Sequence, residues 1–583
     1  MGKIAHFTTK FRPEIRIFVC NQQKMAKEKS IPATEQLDFH SFKQQVIQDY
    51  QLACESREAS LLGRKEVLTG KAKFGIFGDG KELAQIALAK QFRNGDFRSG
   101  YYRDQTLMMA ISALTLEQYF AGLYAHTDVE IEPQSAGRQM GGHYATRNLD
   151  QNGNWKDLMA QKNSSSDISP TAGQMPRLLG LAQASKIYRE HPTLKELEAF
   201  QKFTNGGNEV AFGTIGDAST SEGPFWETMN AAGVLQVPLV MSVWDDGYGI
   251  SVPRELQTTK GSISDALAGF QRNAEQKGFE IFVTKGWDYA HLCETYEKAV
   301  QIARDEHVPV LVHVKEVNQP QGHSTSGSHE RYKSEERLQW ESEFDCISKF
   351  KHWILSFGDK GVVLATEEEL EQIAASAKER VKNAKNTAWQ LFTEDIQQDK
   401  NELLQVLASF AQTHPLHAQA STLHQQLSRE KDSIRRDLLS NAKSILRQSL
   451  HDQSPERAAL AAWIQRTQLK AQDRYSSYLY SNSAQQISQI QKVPVAYASE
   501  QQLEDGRIIL RENYRKILET RPEVLVFGED AGKIGGVNQS LEGLQEQFGS
   551  IRVSDTGIRE WSSAGTMSRF PKKTDPDKEH KME

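Results

Sequence analysis

The stretch GDASTSEGPFWETMNAAGVLQVPLVMSVWDDGYGIS, residues 216–251, decides the fold of this chain. It begins at the end of one apolar run, continues as a helical pattern, and returns to a second apolar run that ends at Asp245-Asp246. Residues 279–317 repeat the alternation as FEIFVTKG, WDYAHLCETYEKAVQIARDEH and VPVLVHVKEV. Strand–helix–strand alternation at this spacing predicts an α/β fold, with a parallel sheet covered by helices.

Two aspartates close successive predicted strands of this sheet. Asp217 ends the first strand and Asp246 ends the next. In a right-handed parallel unit, neighbouring strands end at the same edge, ~4.8 Å apart. Two carboxylates and a backbone carbonyl suit Mg²⁺, which prefers to share its shell with phosphate oxygens. The residues alone leave open the alternative that both aspartates only cap turns.

The same stretch resembles the thiamine diphosphate motif of the α subunits of 2-oxoacid dehydrogenases, which begins GDG and ends with Asn-Asn and Tyr-x-Ile-Ser. The resemblance implies that Asp217, the Asp246 side chain and the Tyr248 carbonyl coordinate Mg²⁺. It also implies that thiamine diphosphate contacts the residues around the first aspartate: Gly216, Ala218 and Ser219.

The match departs from the motif at two positions. Ala218 replaces its second glycine, which the backbone tolerates if φ is negative. Asp246 stands where the family has asparagine, which adds a negative charge beside a diphosphate. That charge strengthens metal binding but opposes the cofactor phosphates. We therefore expect a nearby Arg or His to offset the charge of Asp246.

Three further residues fall in segments similar to functional segments of the family. Tyr102-Arg103-Asp104 resembles a Tyr-Arg-Glu segment whose Tyr and Arg hold the diphosphate, a role that suits the fixed fork of arginine donors. His323 lies in a Gly/Ser-rich loop that resembles the active-site loop of the family. The resemblance makes His323 a catalytic candidate that could neutralise the substrate carboxylate or an enolate-like intermediate and aid transfer to lipoamide.

Two more segments resemble the lining of the cofactor cleft. Residues 137–140, GRQM, followed by His143, resemble the GRQM…H segment, and His143 is a second catalytic candidate. Residues 168–174 resemble the loop ISSPLATQ. There the resemblance implies that Ser169 touches the diphosphate and that Thr171 replaces an apolar residue supporting the bent cofactor.

Residues 505–560 resemble the opening of the β subunit of the same enzymes, so we expect α- and β-like halves in one chain. Glu560 matches the glutamate that hydrogen-bonds the aminopyrimidine ring of the cofactor, and Glu529 is a supporting candidate. The resemblance ends at Glu560. We therefore expect a partial second α/β module with about two strands, whose apolar faces lack partners.

These patterns predict five segments along the chain. The first is a disordered or mis-annotated N-terminus, with Met25 as the natural first residue, and the last is a disordered tail. Between them we expect the diphosphate- and Mg-binding domain, a linker of amphipathic helices rather than a long coiled coil, and the start of the pyrimidine-binding domain. The predicted segments are 1–37, 38–355, 356–492, 493–560 and 561–583.

Composition excludes several classes of function. The net charge is −6 with acids and bases mixed, so no basic face indicates nucleic-acid binding. No apolar run reaches the ~20 residues that span a bilayer. The four cysteines are scattered, without a CxxC pair, which favours a reducing compartment. We expect a bacterial cytoplasmic protein, with the mitochondrial matrix as the alternative.

The resemblance implies an enzyme that oxidatively decarboxylates a branched-chain 2-oxoacid or pyruvate with thiamine diphosphate and Mg²⁺. The acyl group would pass to the lipoyl group of an acyltransferase component, within an α2β2-like homo-oligomer of fused chains. Two alternatives stay open at this point: an inactive subunit that only binds cofactor or partners, and another thiamine diphosphate enzyme of the transketolase or acetoin dehydrogenase type.

Overall fold

The computed structural model describes residues 38–325, 329–358, 361–413, 417–477, 486–500, 502–560 and 562. The predictions for the N-terminal segment and, apart from Ser562, for the tail lie outside these residues. Among these described residues, the α-helices before the predicted linker are α1 (Phe39–Leu68), α2 (Glu82–Ala89), α3 (Gln105–Ala110), α4 (Leu116–Leu123), α5 (Met175–Glu190), α6 (Gly223–Leu235), α7 (Ile263–Ala266), α8 (Tyr289–Glu306), α9 (Glu335–Glu343) and α10 (Cys346–Leu355). No helix in the described ranges combines the length and the apolar character needed to cross a membrane.

Six parallel strands form the central sheet, which confirms the predicted α/β class. The strands before the linker are β1 (Phe97–Ser99), β2 (Asn163–Ser164), β3 (Ala211–Gly216), β4 (Leu239–Trp244), β5 (Tyr248–Gly249), β6 (Val252–Pro253), β7 (Glu280–Lys285) and β8 (Val310–Lys315). The sheet order is β2-β1-β3-β4-β8-β7, and β5 and β6 form a separate antiparallel pair. The apolar runs β3, β4 and β8 occupy the middle of the sheet, as expected for strands buried on both faces.

Helices cover this sheet and build its core. α5 and α6 pack against each other and, through Leu178 and Phe225, join a buried cluster that includes Met241 of β4. α8 packs on β7 and β8 and contacts α2. The predicted helix and strand patterns between residues 210 and 317 are therefore confirmed, and they place the ends of β3 and β4 side by side.

Strand β1 is an element of the central sheet that the sequence patterns do not predict. Its three residues are fully buried and pair with β2 and β3. The side chain of the middle residue, Arg98, is inaccessible to solvent, and ion pairs with Asp104 and Asp167 compensate the cost of burying its charge. A three-residue strand with a charge at its centre carries no alternating apolar pattern, so periodicity could not reveal it.

The predicted linker is helical, with α11 (Glu367–Thr413), α12 (His417–Arg429), α13 (Arg435–Gln448) and α14 (Pro455–Ser476). These helices share an apolar core that contains Leu407, Phe410 and Trp463. The first half of α11 also packs on α4, where the Trp389 and Tyr124 rings lie 4.9 Å apart. α11 therefore belongs both to the helical bundle and to the surface of the preceding domain.

The β-like segment forms α15 (Gly506–Thr520), β9 (Val526–Gly528), α16 (Leu544–Phe548) and β10 (Val553–Asp555). β9 and β10 are parallel neighbours with Val526 opposite Val553, which agrees with the expected two strands. Leu525 and Ile551 pack against the α5–α6 core, and the Ser562 amide donates to Glu227 on α6 at 2.8 Å. The segment thus rests on the outer helices of the first domain.

Candidate functional site

The carboxyl ends of β3 and β4 bring three carboxylates together. Gly216 pairs with Trp244, so Asp217 and Asp245 follow directly at the same edge. The Asp217 amide donates to the Trp244 carbonyl at 3.1 Å, and the Asp217 and Asp245 carboxyls are close enough to share a hydrogen bond when one of them is protonated. Asp246 lies close enough to repel both the charge of Asp217 and any anion at this edge. β3 and β4 are therefore neighbours in the sheet, as the sequence predicted.

Within the part of the chain that the structure describes, no Lys, Arg or His forms an ion pair with Asp217. Burial, followed by repulsion from Asp246 and Asp245, raises the pKa of Asp217 well above its usual range. Its residue is only 7% exposed. Buried carboxylates are normally paired or bound to a metal, so Asp217 has the environment of a metal ligand.

Asp245 has the opposite environment. Burial alone would raise its pKa, but a hydrogen bond from His313 and the charge of Arg254 hold the pKa of Asp245 below its usual range. His313 Nε2 lies 3.0 Å from Asp245 Oδ2, and Arg254 lies 3.5 Å from the same oxygen. The Gly247 amide donates to the other oxygen at 2.9 Å. Both oxygens of Asp245 are therefore engaged by the protein.

Asp246 is half-buried at the turn that leads to Tyr248. The Tyr248 amide donates to Asp246 Oδ1 at 3.2 Å, and Lys81 Nζ lies 3.7 Å from Oδ2. Arg337 donates to the Asp246 backbone carbonyl at 2.8 Å. Asp246 thus caps a turn, as the alternative interpretation proposed, but the turn uses only one of its carboxylate oxygens.

Arg103 and His323 are brought together from distant parts of the sequence. One Arg103 nitrogen donates to the His323 carbonyl at 2.8 Å and lies 3.2 Å from His323 Nδ1, while the other donates to the Phe77 carbonyl at 2.6 Å. Arginine can only donate, so Nδ1 accepts and Nε2 carries the imidazole proton. Burial, followed by the charge of Arg103, lowers the pKa of His323 to about 4, so the ring is neutral near pH 7.

A second group of predicted residues lies around His143. Ser169 Oγ is 3.0 Å from His143 Nε2, and the His143 and Tyr102 rings are 6.5 Å apart. The Arg103 guanidinium lies 5.3 Å from the Tyr102 ring and so links this group to His323. Thr171 is exposed in the same loop as Ser169. The segments predicted to line one cleft are therefore neighbours.

The start of the helix after β3 also follows the prediction. Residues Ala218–Ser221 form a short 3₁₀ turn before α6, and a Cβ on Gly216 would lie 3.9 Å from Ser219 Oγ. Ala218 keeps a helical backbone in this turn. Alanine therefore needs no left-handed conformation at the position where the motif has glycine.

Glu560 stands apart from these groups. It is exposed and lies shortly after the end of β10. Within the described residues, no hydrogen bond or ion pair joins Glu560 to Asp217, Asp246 or His323. Glu529 is exposed as well, so neither carboxylate of the β-like segment contributes to the carboxyl edge of the central sheet in the same chain.

The residues at this edge fit a metal-bound diphosphate. Within the described ranges, no three His, Cys, Asp or Glu side chains are placed so that all three could hold one metal ion. The predicted set, however, requires only two carboxylates, from Asp217 and Asp246, and the Tyr248 carbonyl. Arg103 and Lys81, which are almost fully buried, provide positive charge for an anion at the same edge.

Sequence reasoning missed several residues that build this site. Arg98 uses its whole guanidinium to hold Asp104, Asp167 and the Tyr101 carbonyl, and so fixes the backbone that carries Tyr102 and Arg103. Lys81 and His313 were missed because nothing local in their segments predicts that a Lys or His would be buried. In the sequence, the one local sign that this edge needs more than one balancing cation is the pair of adjacent aspartates, Asp245 and Asp246.

Fold and candidate site together define an α/β protein with charged side chains gathered at the carboxyl edge of a parallel sheet, the edge where open α/β folds bind ligands. Over residues 57–396, more than half of its length, the sequence matches the family described as the dehydrogenase E1 component. The chain therefore belongs to the family of dehydrogenase E1 components. Membership implies thiamine diphosphate as the cofactor.

Similar proteins carry consistent names. The chain is 24% identical over 325 residues to 2-oxoisovalerate dehydrogenase subunit alpha of Bacillus subtilis, which covers 55% of this chain and 84% of that protein. It is 28% identical over 188 residues to the pyruvate dehydrogenase E1 component subunit alpha of Rickettsia bellii, covering 32% and 53%. It is 24% identical over 290 residues to the human mitochondrial 2-oxoisovalerate dehydrogenase subunit alpha, and the match covers 50% of this chain and 56% of that protein. The chain thus spans about half the length of the last two relatives.

Proposed function

We propose that this chain is the thiamine diphosphate- and Mg²⁺-dependent decarboxylating component of a 2-oxoacid dehydrogenase complex, with α- and β-like halves fused. Its substrate would be a branched-chain 2-oxoacid or pyruvate, and the acyl group would pass to the lipoyl group of an acyltransferase partner. The observation that carries the proposal is the buried, uncompensated Asp217 beside Asp246, with Arg103 at the same edge.

The metal ligands in this proposal are Asp217, the Oδ2 oxygen of Asp246 and the Tyr248 carbonyl. Mg²⁺ would supply the positive charge that no side chain of the described residues provides to Asp217. Asp245 is not included, because His313 and the Gly247 amide occupy its two oxygens.

Cations and donors beside the carboxylates would hold the diphosphate. Arg103 is fixed by its hydrogen bonds to Phe77 and His323, so little conformational freedom remains to be lost on binding. Tyr102 lies against Arg103, and Ser169 reaches the same region through His143. When bound, thiamine diphosphate supplies the electron sink for cleavage of the bond between the carboxyl and the oxo carbon.

His323 would act on the substrate as a neutral hydrogen-bond donor. Arg103 engages Nδ1, so Nε2 carries the proton and can donate to the substrate carboxylate or oxo oxygen. The positive charge of Arg103 disfavours a second proton on the ring. His143 would keep the Ser169 hydroxyl oriented toward the diphosphate through their 3.0 Å contact.

Glu560 would serve the cofactor of a second copy of the chain. It is exposed and, within the described residues, has no hydrogen bond to the carboxyl edge of its own sheet. A homo-oligomer in which two copies exchange this carboxylate would satisfy both the resemblance and the geometry. We place this assembly in a reducing compartment, such as a bacterial cytoplasm, because Cys54, Cys293 and Cys346 are free thiols.

Cofactor binding is the first test. Titration calorimetry of the full chain with thiamine diphosphate should give binding only when Mg²⁺ is present. Asp217→Asn should weaken this binding by roughly tenfold or more, whereas Asp305→Asn, a change of an exposed aspartate at the end of α8, should leave it unchanged. Equal binding by wild type and Asp217→Asn would contradict the proposed site.

Turnover separates the remaining alternatives. The enzyme should decarboxylate 2-oxoacids with an artificial electron acceptor, and its acyl transfer should require a lipoyl-bearing partner. Cofactor binding without decarboxylation under any oligomeric condition would instead favour the inactive binding subunit. Activity with sugar phosphates and no need for a lipoyl group would favour a transketolase-type enzyme.

A further inference from the structure

Asp246 brings a full negative charge to a position where the family motif has a neutral amide, and a diphosphate must bind beside it. We propose that Lys81 is the built-in counter-charge of Asp246 and a positioning residue for the metal-bound diphosphate. In this proposal, Lys81 and Asp246 act as one neutral unit that takes the place of the asparagine. The inference rests on the proposed function and extends it to a residue that no motif assigns.

The geometry singles out Lys81. Its side chain is 2% exposed, and its Nζ lies 3.7 Å from Asp246 Oδ2. The hydrogen-bond acceptors of Nζ are neutral, with Gln319 Oε1 at 3.1 Å and the Asn318 carbonyl at 3.4 Å. A buried ammonium is costly unless it is paired with an opposite charge, and Asp246 is the carboxylate that lies within ion-pair distance.

Other cations near Asp246 are used elsewhere. Arg103 donates to the carbonyls of Phe77 and His323, and Arg337 pairs with Glu341 and donates to the Asp246 backbone carbonyl. In the described part of the chain, Lys81 is the cation found within 4 Å of the Asp246 carboxylate. The expected Arg or His partner of Asp246 is therefore replaced by a lysine.

The local backbone explains how Lys81 reaches this position. Gly80 has φ +87°, and a Cβ on it would lie only 2.1 Å from the Asn318 carbonyl. Glycine therefore lets the turn before α2 pack directly on Asn318 and Pro320. Lys81 follows at once and points its ammonium past the Asn318 carbonyl toward Asp246.

The balance of charges gives this proposal a distinctive signature. Lys81→Gln leaves Asp246 uncompensated, which favours a divalent ion alone but repels the diphosphate. Asp246→Asn leaves the ammonium uncompensated, which repels the metal ion. The double variant is neutral again, with an amide at position 246, and should recover the function that each single change removes.

The test compares four full-length proteins: wild type, Lys81→Gln, Asp246→Asn and the double variant. Calorimetry should show that each single change weakens Mg²⁺-dependent thiamine diphosphate binding by roughly tenfold, while the double variant returns to within about threefold of wild type. Spin-resonance titration with Mn²⁺ alone should show tighter binding by Lys81→Gln and weaker binding by Asp246→Asn. Lys90→Gln, which breaks the ion pair with Asp49 away from the site, is the matched control and should change neither measurement.

The outcomes separate the two proposals. Wild type that binds no thiamine diphosphate would refute the proposed function itself. Wild type that binds, with unchanged affinity in Lys81→Gln or no recovery in the double variant, would overturn the role of Lys81. If Lys81→Gln does not fold, the double variant is compared with Asp246→Asn alone, and removal of Lys81 in that background must improve binding.

Discussion

Replacing Arg98 by methionine should destabilise the chain by about 3–5 kcal/mol, because it leaves two buried carboxylates without their cation. Arg98, Asp104 and Asp167 are each at most 1% exposed. The Arg98 guanidinium lies 2.6 Å from Asp104 and 3.0 Å from Asp167. The Arg98 guanidinium also donates to the carbonyl of Tyr101 at 3.0 Å, just before Tyr102 and Arg103, so its loss should also weaken thiamine diphosphate binding.

The magnitude follows from the bonds that methionine cannot make. Arg98 Nε donates to Asp104 at 2.8 Å, and its two terminal nitrogens donate to both oxygens of Asp167, to Ser164 Oγ and to the Tyr101 carbonyl. Hydrogen bonds to charged groups contribute about 1.5–3 kcal/mol each, but they are not additive. Burial already raises the pKa of Asp104, so its carboxyl can take up a proton and relieve part of the loss. We therefore expect about 3 kcal/mol, at the lower end of the range.

Guanidinium chloride unfolding, followed by tryptophan fluorescence, measures this loss. Arg98→Lys keeps the charge but not the fork of donors, so its loss should be smaller, about 1–2 kcal/mol. Arg272→Met is the matched control, because Arg272 pairs with Glu280 and Glu306 on the surface and should contribute less than about 1 kcal/mol. The Arg98→Met defect should shrink as the pH falls, since the unpaired carboxylates become protonated.

A clear result would refute this reasoning. If Arg98→Met loses no more stability than Arg272→Met, the buried cluster does not hold the fold. If stability falls but thiamine diphosphate binding per folded molecule is unchanged, Arg98 does not position Tyr102 and Arg103. The first outcome concerns the energy of the ion cluster, and the second concerns its connection to the site.

Three further predictions follow from single residues. Asp217→Asn should stabilise the cofactor-free chain by about 1–3 kcal/mol in denaturant unfolding near pH 7, because the raised pKa of Asp217 makes folding take up a proton, a cost that an amide does not carry; a loss of stability would contradict this. Burial, followed by the charge of Arg189, lowers the pKa of His307 from 6.5 to about 4. Between pH 6.5 and pH 4, His307 therefore takes up a proton in the unfolded chain but not in the folded one. The free energy of unfolding should fall by about 3 kcal/mol over this pH range. His307→Gln should flatten that fall in melting temperature. Gly80→Ala should cost about 1–3 kcal/mol and weaken cofactor binding, since φ is +87° and the added Cβ meets the Asn318 carbonyl; an unchanged melting temperature would show that the turn relaxes freely.

The central fold was predictable because its signals are local. Alternating apolar runs and helical patterns between residues 210 and 317 predicted β3, α6, β4, β7, α8 and β8, and all six are present. The neighbouring ends of β3 and β4 followed from the handedness of parallel connections. The proximity of Asp217 and Asp246 could therefore be expected from the sequence alone.

Features that depend on distant partners could not be predicted in this way. Arg98 is buried in a strand because two carboxylates accept from it, and one of them, Asp167, lies far along the chain. Lys81 is buried only because the turn at Gly80 meets Asn318. In each case the sequence shows a charged residue, which normally indicates a surface position, and the partner that reverses this preference lies in another element.

The charges at the carboxyl edge explain why the departure from the family motif does not by itself argue against the site. Three carboxylates meet there, but Asp245 is held by His313 and Arg254, and Asp246 faces Lys81. Asp217 has no ion pair within the described residues, and burial, followed by repulsion from Asp246 and Asp245, raises its pKa. Under the proposed function, the edge therefore presents to Mg²⁺ one uncompensated carboxylate and one that its lysine neutralises. The net charge of this pair is close to that of an aspartate and an asparagine. Replacement of the motif's asparagine by Asp246 therefore changes which residues set the charge of the site, but changes its net charge little.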